Sequence, residues 1–150
     1  MTSTPLSDEQ IRALLTDTRR HPPSARLLGM ELIDFSSAER WAEFAFHPPA
    51  SSANPAGNVQ GGFICAMLDD AMALASSIAQ GFKVVVPTLQ MSITYIAPAP
   101  ITRLIARGEA LRIGKNTTQM QGSLRTPDGT LLAVATASAV IRPYPKKKSE

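Results

Sequence analysis

The chain has 150 residues, enough for one domain of moderate size, and 44% of them are hydrophobic, which argues against disorder. Its formal charge is +3, but the last five residues contain three lysines and one glutamate, so much of the basic character lies in a tail over about 144–150. Such a tail is typical of a flexible terminus, and we expect neither a nucleic-acid nor a membrane partner. We expect a single domain over residues 1–150.

The first 50 residues predict one helix and two strands. Ser7 begins a capping-box pattern that predicts a short amphipathic helix over about residues 7–20. Two strands joined by a turn are expected at Leu27–Phe35 and Arg40–Phe46. The first ten residues contain no apolar segment of the kind found in secretory signals, so we expect a cytoplasmic protein.

A longer helix is predicted in the middle of the chain. A polar loop begins at Asn54 and leads into an apolar stretch of about five helical turns that ends near Gln80. The stretch is apolar almost all the way round, so we expect it to be buried. Because Asp69 and Asp70 interrupt it, it is too polar for a membrane span and should be covered by protein. Gly81 supplies the expected helix end.

Two features of this stretch are chemically unusual. Gly61 and Gly62 lack Cβ atoms at the predicted helix start, where a ligand oxygen could approach backbone N–H groups and the positive end of the helix dipole. Asp69 and Asp70 lie about 100° apart around the helix and cannot serve one site equally. The residues alone leave open which acid is functional. They also leave open a structural role, in which the glycines permit close packing and both acids face solvent.

The remainder of the chain predicts strands separated by turns, with no further helix. The last strand carries alanines on one face, where a bulky neighbour can lie close, and the long helix has the matching length. We therefore predict an α+β fold in which an antiparallel sheet of five or six strands curls round one long central helix. The later strands are expected at Val84–Ile96, Arg103–Ile113, Thr117–Arg125 and Leu131–Arg142.

The spacing of residues at the helix start resembles that of the hotdog-fold acyl-CoA thioesterases of the phenylacetic-acid degradation type. Members carry an asparagine, a glycine, His-Gly-Gly, and an aspartate eight residues after the first glycine of that triplet. The corresponding residues here are Asn54, Gly57, Gln60, Gly61, Gly62 and Asp69. The later segment PTLQMSITYIAPAP is also similar to a strand of that family. The resemblance covers roughly residues 28–143 and implies the hotdog fold.

The resemblance also implies a reaction, the hydrolysis of aryl- or medium-chain acyl-CoA thioesters without a metal or other cofactor. It implies that the Gly61 N–H and the Asn54 side-chain amide polarise the thioester carbonyl. Asp69 would act as general base on water or as nucleophile, with Thr88 orienting the water. The choice of Asp69 over Asp70 rests on the resemblance alone. In the family the site is shared between subunits, which implies a homodimer or homotetramer.

Gln60 departs from the commonest form of the motif, which has histidine. Glutamine keeps hydrogen-bonding atoms but cannot titrate near neutral pH, so we expect it to bind substrate, together with Gly62. A non-catalytic acyl-CoA-binding protein is the main alternative. A serine hydrolase is disfavoured because the chain has no G-x-S-x-G motif. Its only histidines, His21 and His47, lie beside prolines outside the predicted long helix and strands, which disfavours serine-hydrolase, metal-hydrolase and hotdog-dehydratase chemistry alike.

Overall fold

The computed structural model describes residues 4–144, so most of the predicted basic tail lies outside the described residues. Within this range the chain forms three α-helices, which are α1 (Asp8–Thr16), α2 (Pro23–Leu27) and α3 (Gly61–Ala79). The strands of the same range are β1 (Glu31–Ser36), β2 (Trp41–Phe46), β3 (Val84–Val85), β4 (Thr88–Tyr95), β5 (Leu104–Ile113), β6 (Thr117–Arg125), β7 (Leu131–Val140) and β8 (Arg142–Pro143).

Six of the strands form one antiparallel sheet in the order β1-β2-β5-β6-β7-β4. The short β3 and β8 pair with each other as a separate ribbon. The long helix α3 packs against one face of the sheet, mainly over β2, β5 and β6. This arrangement confirms the predicted α+β hotdog architecture, and it leaves β1 and β4 as the two edges of the sheet.

The predicted N-terminal helix is present but shorter than expected. Its capping box is formed, because the Gln10 N–H donates to Ser7 Oγ and the Ser7 N–H donates to Gln10 Oε1. The α-helix ends at Thr16, and a 3₁₀ turn over Thr18–Arg20 follows. The segment leaves the α-helical conformation before Pro22, and its Leu15 and His21 line a cavity together with Leu74 of α3.

The expected strand over Leu27–Phe35 is wrong at its start. Pro23 occupies the first position of α2, where its missing N–H needs no partner. Gly29 then adopts a φ of +60°, which a side chain would disfavour. The strand begins only at Glu31.

The expected strand over Val84–Ile96 is divided in two. Pro87 lies between β3 and β4 and has no N–H to offer a neighbouring strand. The two pieces consequently pair with different partners, β3 with β8 and β4 with β7. The predicted last strand is also divided in two, because β7 ends at Val140 and β8 begins at Arg142.

Helix α3 is held against the sheet by a very close backbone contact. A Cβ atom at Gly108 of β5 would lie only 2.2 Å from the Ala71 carbonyl oxygen of α3, so no other residue fits without movement of the helix. The alternate alanines of β7 are buried, but the expected approach of the helix to them is wrong, because α3 lies mainly over β2, β5 and β6. The helix ends before Gly81, whose φ of +62° confirms the predicted stop.

Helix α3 is also long and apolar enough to cross a membrane by length and composition alone, although half of its most apolar window is buried inside the protein. Its largest fully buried side chains, Met67, Leu68, Met72 and Ile78, belong to the hydrophobic core. The helix therefore has the burial of a core helix.

The close contact predicts that Gly108→Ala destabilises the protein by about 3 kcal/mol, because the new Cβ meets backbone atoms that cannot move independently of α3. Gly122→Ala is a matched control, since Gly122 pairs with Gly108 and its nearest new contact, at 3.0 Å, is the flexible Met72 side chain. Urea denaturation measures both free energies of unfolding. A Gly108→Ala loss no larger than that of Gly122→Ala contradicts the packing argument.

Candidate active site

The loop before α3 is organised by Asn54. The Asn54 side-chain oxygen accepts hydrogen bonds from the N–H groups of Ala56 and Asn58 at 3.0 and 3.1 Å. Gly57 makes the turn possible with a φ of +82°. The oxygen of the Asn54 side chain is therefore used by the loop, and its NH₂ group is the part available to a ligand.

Gln60 caps the start of α3 with its side chain. Its Oε1 atom accepts the N–H of Gly62 at 2.7 Å, so Gln60 occupies the donor that Gly62 was expected to offer to a substrate. The N–H of Gly61 has no partner among residues 4–144, as expected at a first helical position. Gly61 therefore keeps a free donor at the positive end of the helix dipole.

Tyr95 is a component of this region that the sequence did not reveal. Its hydroxyl donates to the Gly61 carbonyl oxygen at 3.0 Å. A Cβ atom on Gly61 would lie 3.1 to 3.3 Å from the Tyr95 ring and hydroxyl, so the absence of a side chain at Gly61 permits this contact. A cleft of about 630 Å³ opens beside the contact, lined in part by Asn54, Gln60, Gly61, Gly62, Tyr95 and Pro98. Its volume is suitable for part of a small-molecule ligand.

Asp69 and Thr88 form the second part of the site. The Thr88 hydroxyl donates to Asp69 Oδ1 at 2.6 Å, and both residues are half-buried. Thr88 is the first residue of β4, so the strand after Pro87 brings it to α3. The two residues that the resemblance paired for work on one water molecule are therefore in direct contact.

The two parts of the site are separated along α3. Gly61 and Asp69 are eight residues apart in one helix, which corresponds to about 12 Å along the axis. Groups that act on the same carbonyl must lie about 3 Å from the reacting atoms. The isolated chain therefore brings Asn54, Gln60 and Gly61 together at one end, and Asp69 and Thr88 together two turns later, without uniting the sets.

The surface beside both parts is apolar and uncovered. Strand β4 pairs only with β7 within residues 4–144, so its other edge is open. Leu89, Tyr95 and Ile96, in or directly after this strand, are 64%, 53% and 50% exposed. An open strand edge that carries large apolar side chains is a surface to which another strand can pair.

Asp70 has a different environment from Asp69. It lines a cavity on the side of α3 that faces the N-terminal segment, together with the buried His21. Burial, followed by the negative charge of Asp69, raises the pKa of Asp70 to about 6, and the charge of His21 opposes this shift. The sequence placed His21 in a loop beside prolines, and it gave no sign that this loop folds onto α3.

In the described part of the chain, the remaining reactive side chains do not form a second catalytic group. Burial, and then the charge of Asp69, raise the pKa of the Cys65 thiol, which disfavours the nucleophilic thiolate. His47 lies near the surface, with Nε2 3.5 Å from a carboxylate oxygen of Glu31. Within residues 4–144, no three histidine, cysteine or acidic side chains gather closely enough to hold a metal ion.

Comparison with known proteins gives a consistent family. The family model described as "Thioesterase superfamily" matches residues 56–133, which includes Gly61, Asp69 and Thr88. Comparison with curated proteins gives no match.

Solved structures share the fold. A putative thioesterase of Ralstonia eutropha, described as phenylacetic acid degradation-related, is 30% identical, and the match covers 81% of this chain and 92% of that chain with a TM-score of 0.74. For the Escherichia coli PaaI protein from the phenylacetic acid degradation operon, the identity is 19%, the coverage 78% and 86%, and the TM-score 0.69. A Streptococcus mutans protein solved with acetyl-CoA bound is 19% identical, and the match covers 78% of this chain and 91% of that chain with a TM-score of 0.67. By the matched family model and the similarity to the Ralstonia protein, this chain belongs to the thioesterase superfamily.

Proposed function

We propose that this protein hydrolyses acyl-CoA thioesters with aryl or medium-chain acyl groups to the free acid and CoA. The observation that carries the proposal is the 2.6 Å hydrogen bond from Thr88 to Asp69, on the side of α3 beside the open edge of β4. Membership of the thioesterase superfamily supports thioester hydrolysis. The acetyl-CoA bound to the Streptococcus mutans protein supports a CoA thioester, and the description of the Ralstonia protein supports an aryl group.

The proposed electrophilic part of the site is the start of α3. The free N–H of Gly61 and the side-chain NH₂ of Asn54 donate to the thioester oxygen as negative charge develops on it. One such donor in a pre-organised site contributes about 10²–10³ to the rate. Tyr95 holds the Gly61 carbonyl in place, and the Gln60 side chain presents its own NH₂ group to the same cleft.

The proposed nucleophilic part is Asp69 with Thr88. The hydroxyl proton of Thr88 is committed to Asp69 Oδ1, so the Thr88 oxygen can accept a hydrogen bond from water. Oδ2 of Asp69 can then take the other proton of that water as it attacks the carbonyl. Direct attack by the carboxylate is the second route open to the same residue. In both routes the departing CoA thiolate is a good leaving group.

The proposed active assembly is at least a homodimer. Because Gly61 and Asp69 lie about 12 Å apart in one chain, each site takes its donors from one subunit and its acid from the other. The open edge of β4, with exposed Leu89 and Ile96, is the proposed contact between two subunits. A homotetramer built from two such dimers, a cytoplasmic location, and the lack of nucleic-acid and membrane partners stay predictions.

A non-catalytic acyl-CoA-binding protein is the alternative. Gln60 replaces the usual histidine and occupies the Gly62 N–H, which removes one donor from the substrate site. The free Gly61 donor and the Asp69–Thr88 pair are both present in this chain together with Gln60. The geometry therefore favours hydrolysis over binding alone.

Thiol release from a panel of acyl-CoA thioesters tests the proposed reaction. We expect turnover by the wild-type protein and a kcat lowered by about 10²–10⁴ in Asp69→Asn, because the amide keeps the shape of the side chain but loses the proton acceptor. Substrate binding should persist in this variant.

Asp70→Asn is the matched control, because Asp70 faces a different cavity from the Asp69 carboxylate. This variant should keep most of the activity. Sedimentation and thermal melts establish that both variants are folded and assembled. Near-wild-type turnover by Asp69→Asn contradicts the assignment of the base. Tight binding of acyl-CoA with no thiol release by the wild type supports the alternative function.

The raised pKa of Asp70 predicts a pH-dependent cost in stability. Between about pH 4 and 6 the folded protein keeps a proton on Asp70 that the unfolded chain releases, so the stabilisation present at low pH is lost as the pH rises through 6. Asp70→Asn should therefore be more stable than the wild type by about 2 kcal/mol above pH 6.5, with little difference near pH 4.

Urea denaturation at several pH values measures this difference. Asp34→Asn is a control for which the expected stability change has the opposite sign. The hydrogen bond from Arg12 lowers the pKa of Asp34, so this variant should be less stable than the wild type above pH 4. A stability difference for Asp70→Asn that does not change with pH contradicts the environment described for Asp70.

A further inference from the structure

The peptide group between Gly61 and Gly62 is held at both of its polar ends by side chains. The carbonyl oxygen of Gly61 accepts the hydroxyl proton of Tyr95 at 3.0 Å, and the N–H of Gly62 donates to Oε1 of Gln60 at 2.7 Å. One of these side chains comes from β4 and the other from the residue before α3. We call the pair of bonds, formed by the Tyr95 hydroxyl and Gln60 Oε1, the peptide clamp.

The position of the peptide clamp gives it a specific use. Two consecutive glycines have more backbone freedom than other residues, so ordering them costs more conformational entropy. Gly61 and Gly62 are also the first two residues of α3, and the ends of helices fray. A donor that stabilises a developing charge works best when it is held in place before the reaction. The glycine pair alone is therefore a weak support for the free N–H of Gly61.

The N-terminal side of Gly61 is restrained by the backbone. The Gln60 N–H donates to the Ser52 carbonyl at 2.8 Å, and the Gln60 carbonyl accepts the N–H of Phe63 at 3.0 Å. The N–H of Gly61 belongs to the same trans peptide as that carbonyl and points in the opposite direction, away from the first helical turn. The peptide clamp supplies the matching restraint on the C-terminal side of Gly61.

Strand β4 contacts both parts of the proposed site. Tyr95 is its last residue and bonds to Gly61, whereas Thr88 is its first residue and bonds to Asp69. A Cβ atom on Gly61 would lie 3.1 Å from the Tyr95 hydroxyl oxygen, so glycine at this position and the tyrosine hydroxyl are matched in size. The ring of Tyr95 is half exposed, but its hydroxyl is engaged with the backbone of α3.

We propose that Tyr95 is a positioning residue for thioester hydrolysis, which acts through the peptide clamp to hold the free N–H of Gly61 toward the thioester oxygen. This role rests on the proposed function, in which Gly61 is a donor to that oxygen. Because the Tyr95 proton is given to the Gly61 carbonyl, the hydroxyl acts on the donor without contacting the reacting atoms.

Steady-state kinetics of Tyr95→Phe test the proposal, because this variant keeps the ring and removes only the hydroxyl. We expect kcat to fall about tenfold with KM nearly unchanged, since a displaced donor fails mainly at the charge that develops in the transition state. Tyr144→Phe is the matched control, because Tyr144 is the only other tyrosine and lines the cavity of Asp70. It should change neither constant.

Thermal melts and sedimentation establish that both variants are folded and assembled. An unchanged kcat in Tyr95→Phe, or an equal fall in both variants, overturns the proposal. A raised KM with unchanged kcat also overturns it, because the hydroxyl would then act in substrate binding.

Amide hydrogen exchange, followed by NMR of protein labelled with ¹⁵N-glycine, measures the peptide clamp without turnover. The chain has nine glycines, so the spectrum is simple. We expect the bonded Gly62 N–H to exchange more slowly than the free Gly61 N–H, and to exchange about tenfold faster in Tyr95→Phe. Gly108, in its contact with Ala71, should keep its rate and report an intact fold.

Unchanged exchange of Gly62 in a folded Tyr95→Phe overturns the proposal whether or not thioesters are hydrolysed. Absence of turnover by the wild type contradicts the proposed function, and with it the catalytic role of Tyr95. Turnover by the wild type that is fully kept by Tyr95→Phe contradicts the role of Tyr95 alone.

Discussion

The contact between Gly108 and the Ala71 carbonyl determines how α3 lies on the sheet. Because the backbone of the helix touches β5 there, its rotation about its own axis is fixed. Met67, Leu68 and Met72 are buried in the core as a result. The opposite side of the helix carries the two carboxyl groups, Asp69 and Asp70. An error of one residue in this rotation would turn each side chain by about 100° and replace one acid by the other in the site.

The fixed rotation separates two neighbouring acids into two environments. Asp69 meets the hydroxyl of Thr88 beside an open strand edge, whereas Asp70 faces a cavity closed by the N-terminal segment. The proton affinity of Asp70 is increased by burial there. The same rigid helix also keeps Gly61 and Asp69 about 12 Å apart. This distance is the physical reason why the proposed reaction requires a second subunit.

Local sequence patterns predicted the elements better than the contacts between them. The capping box at Ser7 and the stop at Gly81 depend on a few neighbouring residues, and both are confirmed. The pairing of Asp69 with Thr88 was expected only from the family resemblance, because spacing did not distinguish the two acids.

The contacts that the sequence did not reveal join distant parts of the chain. The hydroxyl of Tyr95 reaches a carbonyl 34 residues earlier, and His21 reaches the cavity of Asp70 only because the N-terminal segment bends back between α1 and α2.

Mixed dimers test the central claim, a site shared between subunits, most directly. Asn54→Asp keeps the side-chain oxygen that the loop uses and removes the NH₂ donor, and Asp69→Asn removes the acid. If both variants are inactive and dimeric, co-refolding them should restore about a quarter of wild-type turnover, from heterodimers with one intact site. Heterodimers that form but show no activity would contradict a shared site.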